Sequence, residues 1–203
     1  MLKNYKSKFC ILKKTGIDFL SDIVAVQKKL TIGKKMLRRK IFRADSGLLI
    51  SGYTINELEE YMKLGGKSYL ARNNDGRPLG YILVSPSKLF SQKLKKAKSE
   101  WKPLSERRKL DSAIWNNNFI YLDQVGVLFE YHKSGLAYDL LKTLEADNVG
   151  KMIVTLIMDK PIDNVRSKQF FARNGYKIFC TVLFSQYGTI KNFEGSLLYK
   201  WIV

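Results

Sequence analysis

The chain is poor in metal-binding side chains. It holds one histidine, His132, and two cysteines, Cys10 and Cys180, with no CxxC pair. A structural zinc site draws several such ligands from short spacings, so no metal is expected. Both cysteines lie in strand-like surroundings and read as buried thiols of a cytoplasmic protein. Long apolar runs are missing too. None approaches the roughly 18 residues of a membrane span, and Phe9 to Leu12 is too short for the apolar block of a secretory signal. Acids are scarce, 18 Asp and Glu against 36 Lys and Arg, for a net charge of +18. No internal repeat or low-complexity tract is present.

With 45% hydrophobic residues, the 203 residues are expected to form a single domain, 1–203. The charge is uneven. Residues 28–43 carry eight basic groups and no acid, and 88–109 carry nine with two acids, Glu100 and Glu106. Clustered Lys and Arg bind phosphates by releasing counterions. An anionic partner such as RNA is one reading of these segments, and a solvated basic face is the other.

Strands are predicted at Lys8 to Lys13, Lys67 to Arg72, Pro78 to Ser85, Phe119 to Leu128, Lys151 to Met158, Tyr176 to Phe184 and Gly195 to Ile202. Asp18 to Leu30 is amphipathic. Thr54 and Glu57 form a capping box opening a helix over Ile55 to Leu64. Asn73 to Gly76 makes a hairpin turn. Residues 87–117 are too long for a hairpin connection and space Leu89, Phe90, Leu94, Ala97 and Trp101 for a helix, a basic helical insertion. Two further helices follow Gly135 and Asn164. The order predicts a mixed α/β sheet of six or seven strands with helices on both faces.

The chain is organised around Tyr121 to Ala137. By the two-residue period, Phe119, Tyr121, Asp123, Val125 and Val127 share one strand face, so Asp123 is a carboxylate on an apolar face. Gly126 marks a bulge or a close backbone approach. His132-Lys133-Ser134-Gly135-Leu136-Ala137 then opens a helix. A strand leading through a small-residue loop into a helix N-terminus suits a phosphate, because free N–H groups and the helix dipole face it. Gly135 and Ala137 keep side chains clear, and Lys133 and His132 add positive charge.

This stretch resembles the cofactor motif of the GCN5-related N-acetyltransferase family: valine, then arginine or glutamine, two residues, glycine, one residue, and glycine or alanine. Val127, His132, Gly135 and Ala137 fill those places. His132 departs from Arg or Gln, and Phe129 sits where the family often has proline. A second motif, Asn164 to Tyr176, resembles the family's asparagine, a serine at Ser167, two aromatics at Phe170 and Phe171, then glycine and an aromatic. The resemblance covers Lys67 to Val203 well and the first half by topology.

The resemblance implies transfer of an acetyl group from acetyl-CoA to a primary amine, without a metal. It implies that the backbone of Val125, Gly126 and Val127 pairs with the pantetheine arm and polarises the thioester. The amides from His132 through Lys133, Ser134, Gly135, Leu136 and Ala137 to Tyr138 would take the pyrophosphate. Asn164, Ser167 and Phe171 would line the cofactor's other side. Asp123 is the first candidate for general base, with Asp159 the second. Phe171 stands where many relatives carry a tyrosine acid, so the proton would come from Tyr121, Tyr138 or water, or the thiolate would leave unassisted. Two alternatives remain on this fold: a polyanion-binding module, and a CoA-binding protein without transferase activity. The acceptor and the oligomeric state are not readable.

Overall fold

The computed structural model describes residues 10–14, 19–31, 49, 52–95, 97–101, 112, 114, 116, 118–187 and 190–203. Much of both basic segments, 28–43 and 88–109, lies outside them. The strands are β1 (Cys10–Lys14), β2 (Lys67–Arg72), β3 (Pro78–Ser85), β4 (Lys98–Trp101), β5 (Phe119–Val127), β6 (Met152–Lys160), β7 (Lys177–Tyr187) and β8 (Ile190–Trp201). They form one mixed sheet in the order β1-β2-β3-β5-β6-β8-β7-β4. Only β5 and β6 pair in parallel among the described strands, and helix α4 (Leu136–Ala146) makes the crossover between them.

Helices cover both faces. Helices α1 (Leu20–Leu30) and α2 (Ile55–Lys63) pack on Leu70, Tyr81 and Leu83. Beside them α3 (Ser87–Lys95) buries Phe90 and Leu94 against Phe119, Tyr121 and Met152. On the opposite face Leu136, Leu140, Leu141 and Leu144 of α4, with Phe171 of α5 (Val165–Arg173), meet Tyr69, Ala71, Ile82 and Leu122. The two-residue alternation along β2 and β3 divides the two layers. The Thr54–Glu57 capping box opens α2 as expected, with the Thr54 amide donating to Glu57 Oε2 at 2.7 Å. No described helix is long and apolar enough to cross a membrane.

Three expectations change. The insertion is helical over Ser87–Lys95, but Lys98–Trp101 is extended and pairs with β7. A strand there satisfies the backbone groups on the outer edge of β7 and raises the strand number to eight. Cys10 is exposed, because it opens the edge strand β1, and only Cys180 is buried.

The third change is in β5. Leu83 faces Gln124 and Val84 faces Leu122, which leaves Asp123 without a partner on β3. The bulge is therefore at Asp123, not at Gly126. One extra residue inverts the alternation that follows. Phe119 and Tyr121 pack beside α3, whereas Val125 and Val127 pack in the α4 layer, so the five residues do not share a face. Gly126 is the close approach, the other of its two expected readings. A Cβ there would lie 2.5 Å from the Tyr81 ring and 2.9 Å from Leu30 Cδ1.

Candidate active site

The bulge coincides with a gap. Pairing between β5 and β6 runs from Phe119 opposite Met152 to Leu122 opposite Thr155 and stops. Beyond that point β6 stays with β8 while β5 stays with β3. The Leu128 N–H donates to the Leu79 carbonyl. By alternation, the N–H and C=O groups of Val125 and Val127 then point away from β3, into the gap. A cleft of about 590 Å³ follows this gap, lined by Leu122, Val125, Thr155, Asn164, Ser167 and Phe171 among others. A second pocket of about 290 Å³ opens on the α2–α3 side. Tyr53, Lys93, Tyr121 and Asp123 line both.

Asp123 is thus at the junction. Its Oδ2 accepts hydrogen bonds from the Tyr53 hydroxyl at 2.6 Å and the Tyr61 hydroxyl at 3.3 Å. Oδ1 accepts none from the described residues. Burial raises the carboxyl pKa above its ordinary value, and the Tyr53 hydroxyl, the Lys93 charge and the Tyr61 hydroxyl offset part of that rise. Burial, and after it the Asp123 charge, pushes both tyrosines up, so they remain protonated donors. The result is a carboxylate with one oxygen held and the other turned to the cavity, more basic than a surface aspartate.

The phosphate-type loop has the expected form. A 3-10 turn, Phe129–Tyr131, leads out of β5. Lys133 at φ 69° and Gly135 at φ 90° are left-handed. Ser134 Oγ donates to the Tyr131 carbonyl at 2.7 Å and accepts the Leu136 amide at 3.3 Å. The His132 and Ser134 amides bond back to Phe129 and Tyr131. Those of Lys133, Gly135, Ala137 and Tyr138 have no acceptor among the described residues. Leu136 and its neighbours split roles, for its side chain is buried in the core. His132 is not a charge for the anion. Its Nε2–H donates to the Val127 carbonyl at 3.0 Å, and burial, aided by nearby Arg166, lowers its pKa. The neutral ring ties the loop to the end of β5.

From the second motif, Asn164 is the N-cap of α5, accepting the Ser167 amide at 3.3 Å through Oδ1. It is buried and lines the cleft with Ser167 and Phe171, so capping and lining coexist. Asp159 lines neither cavity. It accepts from Ser196 Oγ at 2.8 Å and pairs with Lys168, which makes it a tie between β6, β8 and α5 rather than a base beside Asp123. Tyr138 is exposed and likewise outside both cavities. Tyr121 is inside both, its ring stacked on Phe90 at 3.6 Å and its hydroxyl 3.4 Å from that of Tyr187.

Several residues of this site carry no sequence signal. Tyr53, Tyr61, Lys93 and Tyr187 reach the junction from distant elements. Gln27, on α1 and buried, donates to Gln124 Oε1 at 2.9 Å and accepts the Tyr53 amide at 2.8 Å, while Tyr81 also donates to Gln124 Oε1. A buried glutamine on an otherwise apolar helix face was the one available hint.

The chain has the fold of the GCN5-related N-acetyltransferases. Among solved structures it resembles a protein assigned to the GNAT family from Desulfovibrio desulfuricans, at 11% identity and TM-score 0.57 over 96% of this chain and 99% of that one. It also resembles an N-acetyltransferase from Staphylococcus aureus Mu50, at 14% and 0.58 over 97% and 100%. A third is Chaetomium thermophilum Naa20 in complex with a bisubstrate analogue, at 15% and 0.54 over 95% and 86%. No family model and no curated protein matches the chain.

Proposed function

We propose that the chain is an acetyl-CoA-dependent N-acetyltransferase acting on a primary amine by direct transfer, in the cytoplasm. The observation that carries this reading is Asp123, a carboxylate of raised pKa where a cleft through the sheet meets a second pocket. Acetyl-CoA would supply a thioester with a good leaving group. The loop fits its pyrophosphate: four amides without acceptors surround a left-handed glycine at a helix N-terminus. The cleft fits its arm, with the open backbone groups of Val125 on one side and Asn164, Ser167 and Phe171 on the other. An N–H of Val125 or Val127, the groups that face away from β3, would polarise the thioester oxygen.

The amine enters from the α2–α3 pocket, and Asp123 Oδ1 takes its proton. Phe171 has no proton to give. Tyr121 and Tyr187, whose pKa values burial raises, hold their hydroxyls protonated at the junction, and a hydrogen bond from either would stabilise the departing sulfur. Direct transfer needs amine and acyl group side by side, which two cavities meeting at one carboxylate provide.

The test is thiol release from acetyl-CoA with a panel of primary amines. Amine-dependent release supports the transferase. Binding of acetyl-CoA without release from any amine would leave a CoA-binding protein, the reading that Phe171 favours.

A further inference from the structure

We propose that the acceptor is a small primary amine that carries its own anionic group, held between Asp123 and Lys93; this rests on the transferase reading above. The α2–α3 pocket is about 290 Å³, near the lower end of the roughly 300–1,000 Å³ of small-molecule sites. Its lining includes two charged groups, Asp123 and Lys93. They form no ion pair with each other. Asp123 turns to Tyr53 and Tyr61, and the Lys93 ammonium stands 5.6 Å from the Tyr187 ring centroid. The pocket therefore presents a separated negative and positive charge to one ligand.

Lys93 belongs to the insertion helix α3. Phe90 and Leu94 of that helix are buried, and Phe90 stacks on Tyr121. Leu89 and Lys93, one turn apart, form the flank that overlooks the pocket. The insertion thus roofs the acceptor side and places a cation there. An ammonium beside Asp123 is surrounded by the rings of Tyr53, Tyr61 and Tyr121, which suit a cation or its neutral amine. A carboxylate or phosphonate on the same molecule would reach Lys93. A second cation would meet Lys93 with like charge, and the net charge of +18 repels polycations at longer range. Diamines and basic peptides are disfavoured on both counts.

The test measures kcat and KM for 4-aminobutyrate and L-leucine, their amides 4-aminobutanamide and L-leucinamide, putrescine, and a short basic peptide with a free N-terminus and an amidated C-terminus. Wild type and Lys93→Gln are compared, because the ratio between them cancels the differing basicity of the amines. Lys93→Gln is expected to lower kcat/KM for the acids about tenfold or more, through KM, as loss of a charge-assisted hydrogen bond does. It should lower it far less for the amides. Lys93→Glu should turn the preference toward putrescine. Lys93 is solvent-exposed, so neither variant threatens the fold. Equal losses for acids and amides overturn the proposal, as does wild-type preference for putrescine or for the peptide. Those results leave the transferase standing. Acetyl-CoA binding with no acetylation of any amine removes the transferase and this acceptor together.

Discussion

The two sides of the β5–β6 gap are built differently. The side proposed for the cofactor is backbone: amides of a left-handed loop, a helix N-terminus and the open edge of Val125. The side proposed for the acceptor is side chains: Asp123 held by Tyr53 and Tyr61, with Lys93, Tyr121 and Tyr187 around it. Backbone donors bind a constant ligand and tolerate many sequences, provided that glycine or a cap stands where the turn requires it. Side chains can be exchanged to suit a different amine. Such a division would let likeness in fold persist at 11–15% identity while the side chains facing an acceptor vary.

Mutations should separate the two sides. The largest effect is expected from Asp123→Asn, which should lower kcat by about 10²-fold or more. The rise of kcat/KM with pH, set by a carboxyl above its ordinary range, should vanish with it. The same variant has a stability signature. A folded pKa above 3.8 means that the native state holds more protons than the unfolded chain between the two values. Wild type therefore loses stability as pH rises through that window, and Asp123→Asn should flatten the slope in urea titrations between acid and neutral pH. A variant that instead melts far lower at neutral pH with full turnover would make Asp123 structural. Gly126→Ala forces a methyl into the Tyr81 ring and Leu30 and should cost about 1–3 kcal/mol in chemical denaturation, by disturbing the strand that both sides share. The smallest effect belongs to Tyr53→Phe. Removing its hydroxyl withdraws a group that favours the carboxylate, so the ascending limb of kcat/KM should move up by roughly one pH unit or less, as one hydrogen bond is worth about 1 kcal/mol. A downward move would contradict the proposed contact.

The contrast also decides what the sequence made legible. His132 to Ala137 and Asn164 to Tyr176 are contiguous, and the Thr54 box, the hairpin turn and Gly135 each act within a few residues. These features, and with them the fold, could be read directly. The bulge at Asp123 depends on register against β3, which no local pattern carries, so of the two readings of Gly126 only the close approach held, and the strand faces beyond Asp123 were inverted. Tyr53 and Asp123 are 70 residues apart, and Gln27 and Gln124 are 97; only the folded sheet brings them together. The strand Lys98–Trp101 forms because an edge was waiting for it, overriding a helical spacing. His132 filled a motif position, but its ring bonds to Val127 and is neutral.

The most direct measurement of this division is calorimetric titration of acetyl-CoA into wild type, Gly135→Glu and Asp123→Asn. It requires no knowledge of the acceptor. Gly135 lies at φ 90° with open space above it, and glutamate there would set a carboxylate against the pyrophosphate. Wild type and Asp123→Asn are expected to bind alike, with micromolar affinity or about −8 kcal/mol, and Gly135→Glu to show no binding. Equal affinity in wild type and Gly135→Glu, or loss of binding in Asp123→Asn to the same degree, would contradict a cofactor side made of backbone and an acceptor side made of side chains.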